Sequence, residues 1–182
     1  MLRKFLLAFI LAFTGLALAA PAQAGGGADP VILTVTGNVA KPNRGPLDPF
    51  EDQVFDHLQV KFDKGFTFTL ADLKALPQKT VKAKYAEWPR EVTATGPSLV
   101  DVLKAAGAEG KKILVQATDG YAPEFKGADV AQDKMILAVE ADGKPLHMGG
   151  RGPLWLFGPA GSFTGQEQDE GFVFAVIRID VQ

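Results

Sequence analysis

Short apolar runs, rich in β-branched residues and separated by glycine, proline or Asp-Gly pairs, recur along most of the chain. Runs this short are typical of strands, because an amphipathic helix usually needs about ten residues or more. The predicted strands are 31–36, 66–69, 80–85, 112–117, 135–139, 153–157 and 172–181. Many strands with only a few short helices between them predict an α+β fold with mixed sheets, rather than a βαβ repeat.

Two short helices are predicted from their end signals. The first begins at a capping box, in which Thr69 and Asp72 would each serve a free backbone amide, and Pro77 ends it. The second has Ser98 as its N-cap and ends at Gly107. One apolar stripe marks the face of this second helix that we expect to be buried. The stripe consists of Leu99, Val102, Leu103 and Ala106.

Two other segments leave alternatives open. Residues 127–132 form either a short helix or a turn. Residues 41–52 are rich in proline and form a long loop. Long structured loops are often functional, but a surface loop packed by Phe50 and Phe55 explains this composition equally well.

The N-terminal segment carries the pattern of an export signal. Arg3 and Lys4 precede the apolar stretch 5–20, and Ala22-Gln23-Ala24 supplies the small-x-small pattern that signal peptidase reads. A transmembrane anchor would need about 20 apolar residues and usually lacks such a cleavage pattern. We therefore expect a cleaved signal peptide over residues 1–24.

This interpretation sets the expected organisation of the chain. Cleavage would leave Gly25 at the N-terminus, followed by a flexible leader over 25–30 and a single domain over 31–182. We expect the protein in the periplasm, without a membrane span once the signal is removed.

Charge and cysteine content exclude some classes of function. Loss of Arg3 and Lys4 would reduce the 19 basic residues to 17, against 21 acidic residues, a net charge of −4. No run of five basic residues occurs, so nucleic acid is not an expected partner. The chain contains no cysteine, so its core must provide stability without a disulfide bond.

Several familiar chemistries find little support. His57 and His147 lie far apart in sequence and lack the spacing of metal ligands, which favours ordinary histidines. Residues 166–170 carry three carboxylates but lack the alternating pattern of a calcium loop, which favours a solvated turn. Neither Ser98 nor Ser162 lies in a Gly-x-Ser-x-Gly motif, so serine hydrolysis is not indicated.

A dense glycine cluster, Gly149-Gly150-Arg151-Gly152-Pro153, leaves two interpretations open. Glycine frees backbone amides to approach an anion, and Arg151 would add a charged fork. The same residues would also make a tight turn that leads into the strand after Pro153. The spacing matches neither a dinucleotide-binding fingerprint nor a phosphate-binding P-loop.

Aromatic and charged residues at predicted strand ends suggest a pocket for a planar or anionic ligand. The rim of an ordinary core is the alternative for such aromatic rings. The candidate pocket residues are Trp88, Arg90, Asp119, Tyr121, His147, Arg151 and Trp155.

Seven short motifs occur in an order that resembles the oxidoreductase molybdopterin-binding domain family, which has the sulfite-oxidase fold. Each motif is weak alone, and their order carries the resemblance. The motifs are Leu33–Gly37, Phe68–Pro77, Gly96–Gly107, Asp119–Tyr121, Asp142–Leu146, Gly152–Leu156 and Arg178–Val181. The resemblance implies that fold for nearly all of residues 31–181.

Two departures bear on what the resemblance implies for function. In catalytic members, a cysteine in the turn after the strand that matches Val81–Tyr85 ligates molybdenum. Here that turn is 86–90, and it holds no thiol. Catalytic members also tend to carry Lys-Trp before the closing strand, where this chain has Phe174-Ala175. The chain is therefore similar to a small exported branch that keeps the fold and not the ligand.

These departures favour a non-catalytic binding module with no cofactor. Its cleft near Trp88 and Arg151 would take a small ligand, or a periplasmic or membrane-bound sensor or redox partner. The alternative is a genuine molybdopterin-dependent oxidoreductase that holds the cofactor by its pterin, without a cysteine ligand to the metal. A hydrolase is disfavoured, because no nucleophile has a visible base.

Overall fold

Eleven strands and four short helices make up the described part of the chain. A computed structural model describes residues 29–85, 88–159, 162 and 172–182. The strands are β1 (Val31–Gly37), β2 (Gly65–Thr69), β3 (Gln78–Ala83), β4 (Val92–Pro97), β5 (Lys112–Ala117), β6 (Glu124–Lys126), β7 (Ile136–Ala138), β8 (Glu140–Ala141), β9 (Lys144–Pro145), β10 (Trp155–Phe157) and β11 (Val176–Val181). The helices are α1 (Gln53–His57), α2 (Leu70–Ala75), α3 (Leu99–Ala106) and α4 (Gly127–Val130).

The strands form mixed sheets, which confirms the α+β prediction. The largest sheet has the order β2-β1-β11-β5-β6. Its two central strands, β1 and β11, run parallel, with Thr34 opposite Arg178, and its other pairings are antiparallel. A second sheet has the order β3-β4-β8-β9, and β10 pairs with β7 in a third.

Helix α3 packs on the large sheet through the stripe that the sequence predicts. All four stripe residues are buried in one cluster with Leu33 and Val35 of β1. The Ser98 hydroxyl accepts a hydrogen bond from the Asp101 amide at 3.1 Å and caps the helix. Gly107 ends it with φ +62°, a conformation that glycine adopts without steric cost.

The other local signals also have the predicted geometry. Thr69 and Asp72 form the reciprocal capping box of α2, with the Thr69 amide 2.9 Å from the Asp72 carboxylate. Asp142 and Gly143 both have positive φ and connect β8 to β9 in a tight hairpin. Residues 127–130 form a helix rather than a turn.

Strand β4 is the main element that the sequence did not predict, because the residues after the predicted strand 80–85 were interpreted as a polar turn before the helix that Ser98 caps. The inward positions of β4 carry small residues, among them Ala94 and Gly96, which give a weak hydrophobic signal. Gly96 is required there, since a Cβ would lie 2.1 Å from the Leu137 carbonyl oxygen. The predicted strand 80–85 is also shifted, because pairing with β4 covers Gln78–Ala83.

Residues 41–62 contain α1 and only part of the predicted loop packing. Phe55 packs edge-to-face on Phe62 with ring centroids 6.1 Å apart. Arg44 pairs with Asp52 at 2.5 Å and lies over the Phe62 ring. Phe50 does not pack the loop as expected, because 80% of it is exposed.

Three expectations fall on segments outside the described residues. These are the signal peptide over 1–24, most of the leader over 25–30, and the acidic segment 166–170. Among the helices that the structure describes, none combines the length and apolar composition needed to cross a membrane.

Candidate functional site

An aromatic cluster lies beneath the second sheet and forms one wall of the candidate site. Trp155 of β10 is 1% exposed and packs edge-to-face on Phe157, with centroids 4.7 Å apart. Trp88 lies 5.5 Å from Trp155, centroid to centroid, and is half-buried. The ring centroids of Tyr85 and Phe172 are 4.4 Å apart, and the Tyr85 hydroxyl donates a hydrogen bond to the Gly158 carbonyl. These rings hold Trp88 and Trp155 in fixed positions.

The Arg151 guanidinium lies across the outer edge of this cluster. Its central carbon is 4.3 Å from the Trp155 centroid, 4.8 Å from that of Phe174 and 5.1 Å from that of Trp88. Such contacts are cation–π interactions, which strengthen where water is displaced. No carboxylate among the described residues forms an ion pair with Arg151. Its charge is therefore oriented by three aromatic rings and faces no paired carboxylate in the part of the chain that the structure describes.

The surroundings of Arg151 are electropositive and partly dehydrated. Burial lowers the pKa of Arg151 below its usual value, and the nearby charge of Arg90 lowers it further. An arginine stays protonated in proteins regardless. A negative charge bound there would offset the repulsion between Arg90 and Arg151.

Arg90 is held by the β8–β9 hairpin. Its guanidinium pairs with the Asp142 carboxylate at 2.5 Å, and the Thr93 amide donates to the other carboxylate oxygen at 3.0 Å. The Thr93 amide, and after it Arg90, hold the pKa of Asp142 below its usual value of 3.8. Asp142 is therefore ionised at neutral pH, and its carboxylate holds the Arg90 guanidinium in place.

Two adjoining clefts, of about 200 and 380 Å³, open beside Arg151. They share four lining residues, Arg90, Ala141, Asp142 and Arg151. Trp88 and Trp155 line the smaller cleft, whereas Lys144 and His147 line the larger one. The shared region thus carries cations on several sides and one carboxylate. Together the clefts have the size and polarity of a site for a small planar anion.

Trp155, which lines the smaller cleft, also carries a buried polar group. Its Nε1 is fully buried and has no hydrogen-bond partner among the described residues. A buried donor without a partner is costly, and such groups in native proteins often serve a ligand or a water.

The glycine cluster resolves into a tight turn that presents Arg151. The amides of Gly150 and Gly152 both donate to the His147 carbonyl at 3.2 Å, so they are not free to bind an anion. A Cβ at Gly152 would lie 2.7 Å from the His147 amide nitrogen. The alternative with free glycine amides is therefore wrong for these two residues.

The structure brings together five of the seven predicted pocket residues. Trp88, Arg90, His147, Arg151 and Trp155 line the two clefts. Their role in binding stays a prediction.

Asp119 and Tyr121 line neither cleft. The Asp119 carboxylate instead accepts a hydrogen bond from the Tyr121 amide within the turn after β5. His57 lies at the end of α1, and the described residues contain no group of three or more potential metal ligands.

Lys144 and Phe174 belong to the site but were not predicted. Lys144 lies just after the Asp142-Gly143 turn, and its position in the hairpin could have suggested it. Phe174 is contributed by the segment before β11, where Trp155 and Arg151 contact its ring. The sequence does not reveal this contact, because Phe174 is separated along the chain from Arg151 and Trp155. Phe174 lies where catalytic members of the resembled family tend to carry Lys-Trp.

A comparison with protein families decides the relationship. The model of the family described as "Oxidoreductase molybdopterin binding domain" matches residues 49–160, more than half of the chain. The chain belongs to this family. Membership confirms the resemblance predicted from the order of the seven motifs.

Solved structures support the same fold. The chain is similar to the sulfane dehydrogenase SoxCD from Paracoccus pantotrophus, with a TM-score of 0.57 and 21% sequence identity. The match covers 82% of this chain and 37% of the SoxCD chain, so the chain spans little more than a third of that protein's length. At this identity the likeness concerns the fold alone. No curated protein matches the chain.

Family membership corrects one expectation. The absence of a cofactor, expected from the missing cysteine, is contradicted, because the family is defined by binding molybdopterin. A protein thiolate holds only the metal, whereas charged and aromatic side chains hold a cofactor's organic part, so the missing cysteine does not exclude a cofactor.

The residues present fit the two parts of such a cofactor differently. The cations beside Trp88 and Trp155 suit its anionic, planar organic part. The chain contains no cysteine, and hence no soft thiolate donor for molybdenum. The donor set thus fits the organic part and does not fit a metal held by a protein thiolate.

Proposed function

We propose that this protein is an exported, non-catalytic binding module of the molybdopterin-binding domain family. It binds a pterin-type anion in the Arg151 cleft and contributes no thiolate to a metal. The observation that carries the proposal is Arg151, whose guanidinium lies over three aromatic rings and pairs with no carboxylate among the described residues.

Charge and shape support an organic anion as the ligand. A planar ring system would lie in the smaller cleft against Trp88, while its acidic group would face Arg90 and Arg151. The larger cleft adds Lys144 and His147 near the same guanidinium groups and suits a bulkier anionic tail. Water is excluded on the Trp155 side, which strengthens the electrostatic attraction.

Export and partnership are part of the proposal. The basic start, apolar stretch and small-x-small pattern of residues 1–24 support delivery to the periplasm. There the module would present its ligand to a sensor or redox partner. Phe174, which is 40% exposed, offers apolar surface beside Arg151.

The ligand can be tested with pterin-6-carboxylate, a planar and anionic pterin, by fluorescence anisotropy on the purified mature chain. We expect binding at a single site. Arg151→Gln should weaken the affinity about tenfold or more, because it removes the charge that faces the cleft. Trp88→Ala should weaken it too, through the loss of a stacking surface. Lys64→Gln, an exposed lysine outside the clefts, should bind like the wild type.

Equal affinity in the wild type and in Arg151→Gln would overturn the proposal, as would the absence of binding by folded protein. A second candidate, a true oxidoreductase, is favoured by the family description. Elemental mass spectrometry and dye-reduction assays on protein purified from its own host distinguish the two. Near-stoichiometric molybdenum with turnover would establish the oxidoreductase and exclude the non-catalytic module.

A further inference from the structure

A cavity larger than either of the Arg151 clefts lies away from them and shares no lining residue with them. It is an open groove of about 740 Å³ between α3, α4 and the segment after β1. Its volume falls within the range of small-molecule sites. Neither the family match nor the Arg151 cleft accounts for it.

The floor of the groove is apolar and belongs to the main core. Leu103 of α3, Ile113 of β5 and Val130 of α4 form it, and each is at least nine-tenths buried. Val100 is only partly buried and lies on the same wall. A ligand with an apolar body would cover the surface that these side chains leave to solvent.

The rim carries charge without internal compensation. Lys41 and Lys104 both line the groove, and neither forms an ion pair with a described carboxylate. The stem of Lys41 lies over Gly107, where a Cβ would come within 3.1 Å of the lysine Cγ. Glu109 is the one acidic lining residue, so the lysines outnumber it.

The carbonyls at the end of α3 do not compete for these lysines. The Ala40 amide donates to the Gly107 carbonyl at 2.9 Å, and the Lys41 amide to the Ala106 carbonyl at 3.2 Å. The Ala108 amide donates to the Leu103 carbonyl at 2.8 Å. These three carbonyls are thus already satisfied by backbone amides.

We infer that this groove is a second binding site, which takes a free aliphatic carboxylate of medium chain length. The alkyl chain lies on Val100, Leu103 and Val130, and the carboxylate faces Lys41 and Lys104. Charge complementarity selects an anion over a neutral or cationic amphiphile, and the apolar floor selects an alkyl chain over a small inorganic anion.

Titration calorimetry of the full mature chain with octanoate, octan-1-ol and octyltrimethylammonium tests the inference, because these probes share one chain length. We expect saturable binding of octanoate, much weaker binding of octan-1-ol and none of the cation. The double variant Lys41→Gln, Lys104→Gln should weaken octanoate about tenfold, the scale of two partly exposed charge contacts. Its affinity should then approach that of octan-1-ol.

Two further variants complete the test. Ala131→Trp places a large ring at an exposed lining position and should block the groove. Lys64→Gln, outside the groove, should bind octanoate like the wild type. Equal binding of all three probes would overturn the inference, because it would indicate non-specific adsorption. Binding that Arg151→Gln abolishes, but that the lysine pair does not affect, would also overturn it. So would adsorption to phosphatidylglycerol vesicles without binding of free octanoate.

Discussion

The guanidinium of Arg151 lies 4.3 Å from the centroid of Trp155, a ring whose buried Nε1 has no hydrogen-bond partner among the described residues. One side chain thus orients a cation through its ring face, while its buried N–H donor has no partner in the part of the chain that the structure describes. The two features belong to different parts of one indole and can be separated by mutation.

Trp155→Phe separates them. Phenylalanine keeps a ring beneath Arg151 and removes the N–H group, so the free energy of unfolding should change by less than about 2 kcal/mol. If the N–H group serves the ligand, the affinity for pterin-6-carboxylate should fall while Arg151→Gln remains the more damaging change. Urea unfolding and anisotropy provide the two readouts. Unchanged affinity in a folded variant would show that the indole N–H has no part in binding.

Leu103→Ala tests the packing of α3. Leu103 is buried among the main core residues, so its truncation should cost about 2–5 kcal/mol in the free energy of unfolding. Lys104→Ala, at the exposed neighbouring position, should change it by less than about 0.5 kcal/mol. Urea denaturation of both variants gives the comparison. A small loss at Leu103 would contradict the buried face of the helix.

Ala175 adopts a positive φ of +50°, which is unfavourable for a residue with a Cβ. Ala175→Gly should relieve this strain, but glycine loses more backbone entropy on folding than alanine does. The substitution should therefore be neutral or stabilise the fold by up to about 1 kcal/mol. Ala175→Val should destabilise it by more than about 1 kcal/mol, because β-branching worsens the same conformation. Thermal unfolding orders the three proteins, and a valine variant as stable as the alanine would contradict the strain.

Asp142 predicts one component of acid sensitivity. Its pKa is lowered in the folded state, so the stability that its charge contributes is present above about pH 3.8 and is lost as the pH falls through the folded value. Asp142→Asn should flatten this part of the stability curve, and asparagine tolerates the positive φ at this position. Urea titrations between neutral pH and about pH 2.5, the acid side of carboxyl ionisation, give the curve. Identical acid sensitivity in both proteins would rule out this role.

The export signal predicts the mature N-terminus. Cleavage after Ala24 should leave Gly25 as the first residue of protein recovered from the periplasm. N-terminal sequencing or intact mass measures this directly. A chain that still begins at Met1 would contradict cleavage, and recovery from the cytoplasm would contradict export.

Features set by near neighbours in sequence were predictable. The Thr69–Asp72 capping box and the Asp142-Gly143 turn depend on residues at most three positions apart. The burial of Leu103 follows from the helical period. Strand β4 escaped prediction because its inward positions are small, and its identity depends on a close crossing with β7, whose residues are remote in sequence.

The residues of the candidate site also differ in whether the sequence could predict them. Arg151 and the two tryptophans stand out by residue type, so they could be proposed from the sequence. Phe174 could not, because its contact with Arg151 depends on where the segment before β11 is placed. Tyr121 was proposed because it is aromatic. It lies in the turn after β5, and that turn lines neither cleft.

The large sheet extends beyond the residues that the family model matches. The family match spans residues 49–160, whereas β1 and β11, the parallel pair between β2 and β5, lie on either side of it. Excising the matched segment would leave β2 and β5 facing a gap two strands wide, and it would remove Phe174 from Arg151. The smallest portion of this chain that keeps both the sheet and the cleft therefore reaches from before Val31 to Val181, and homology boundaries would be a poor guide to expressing it.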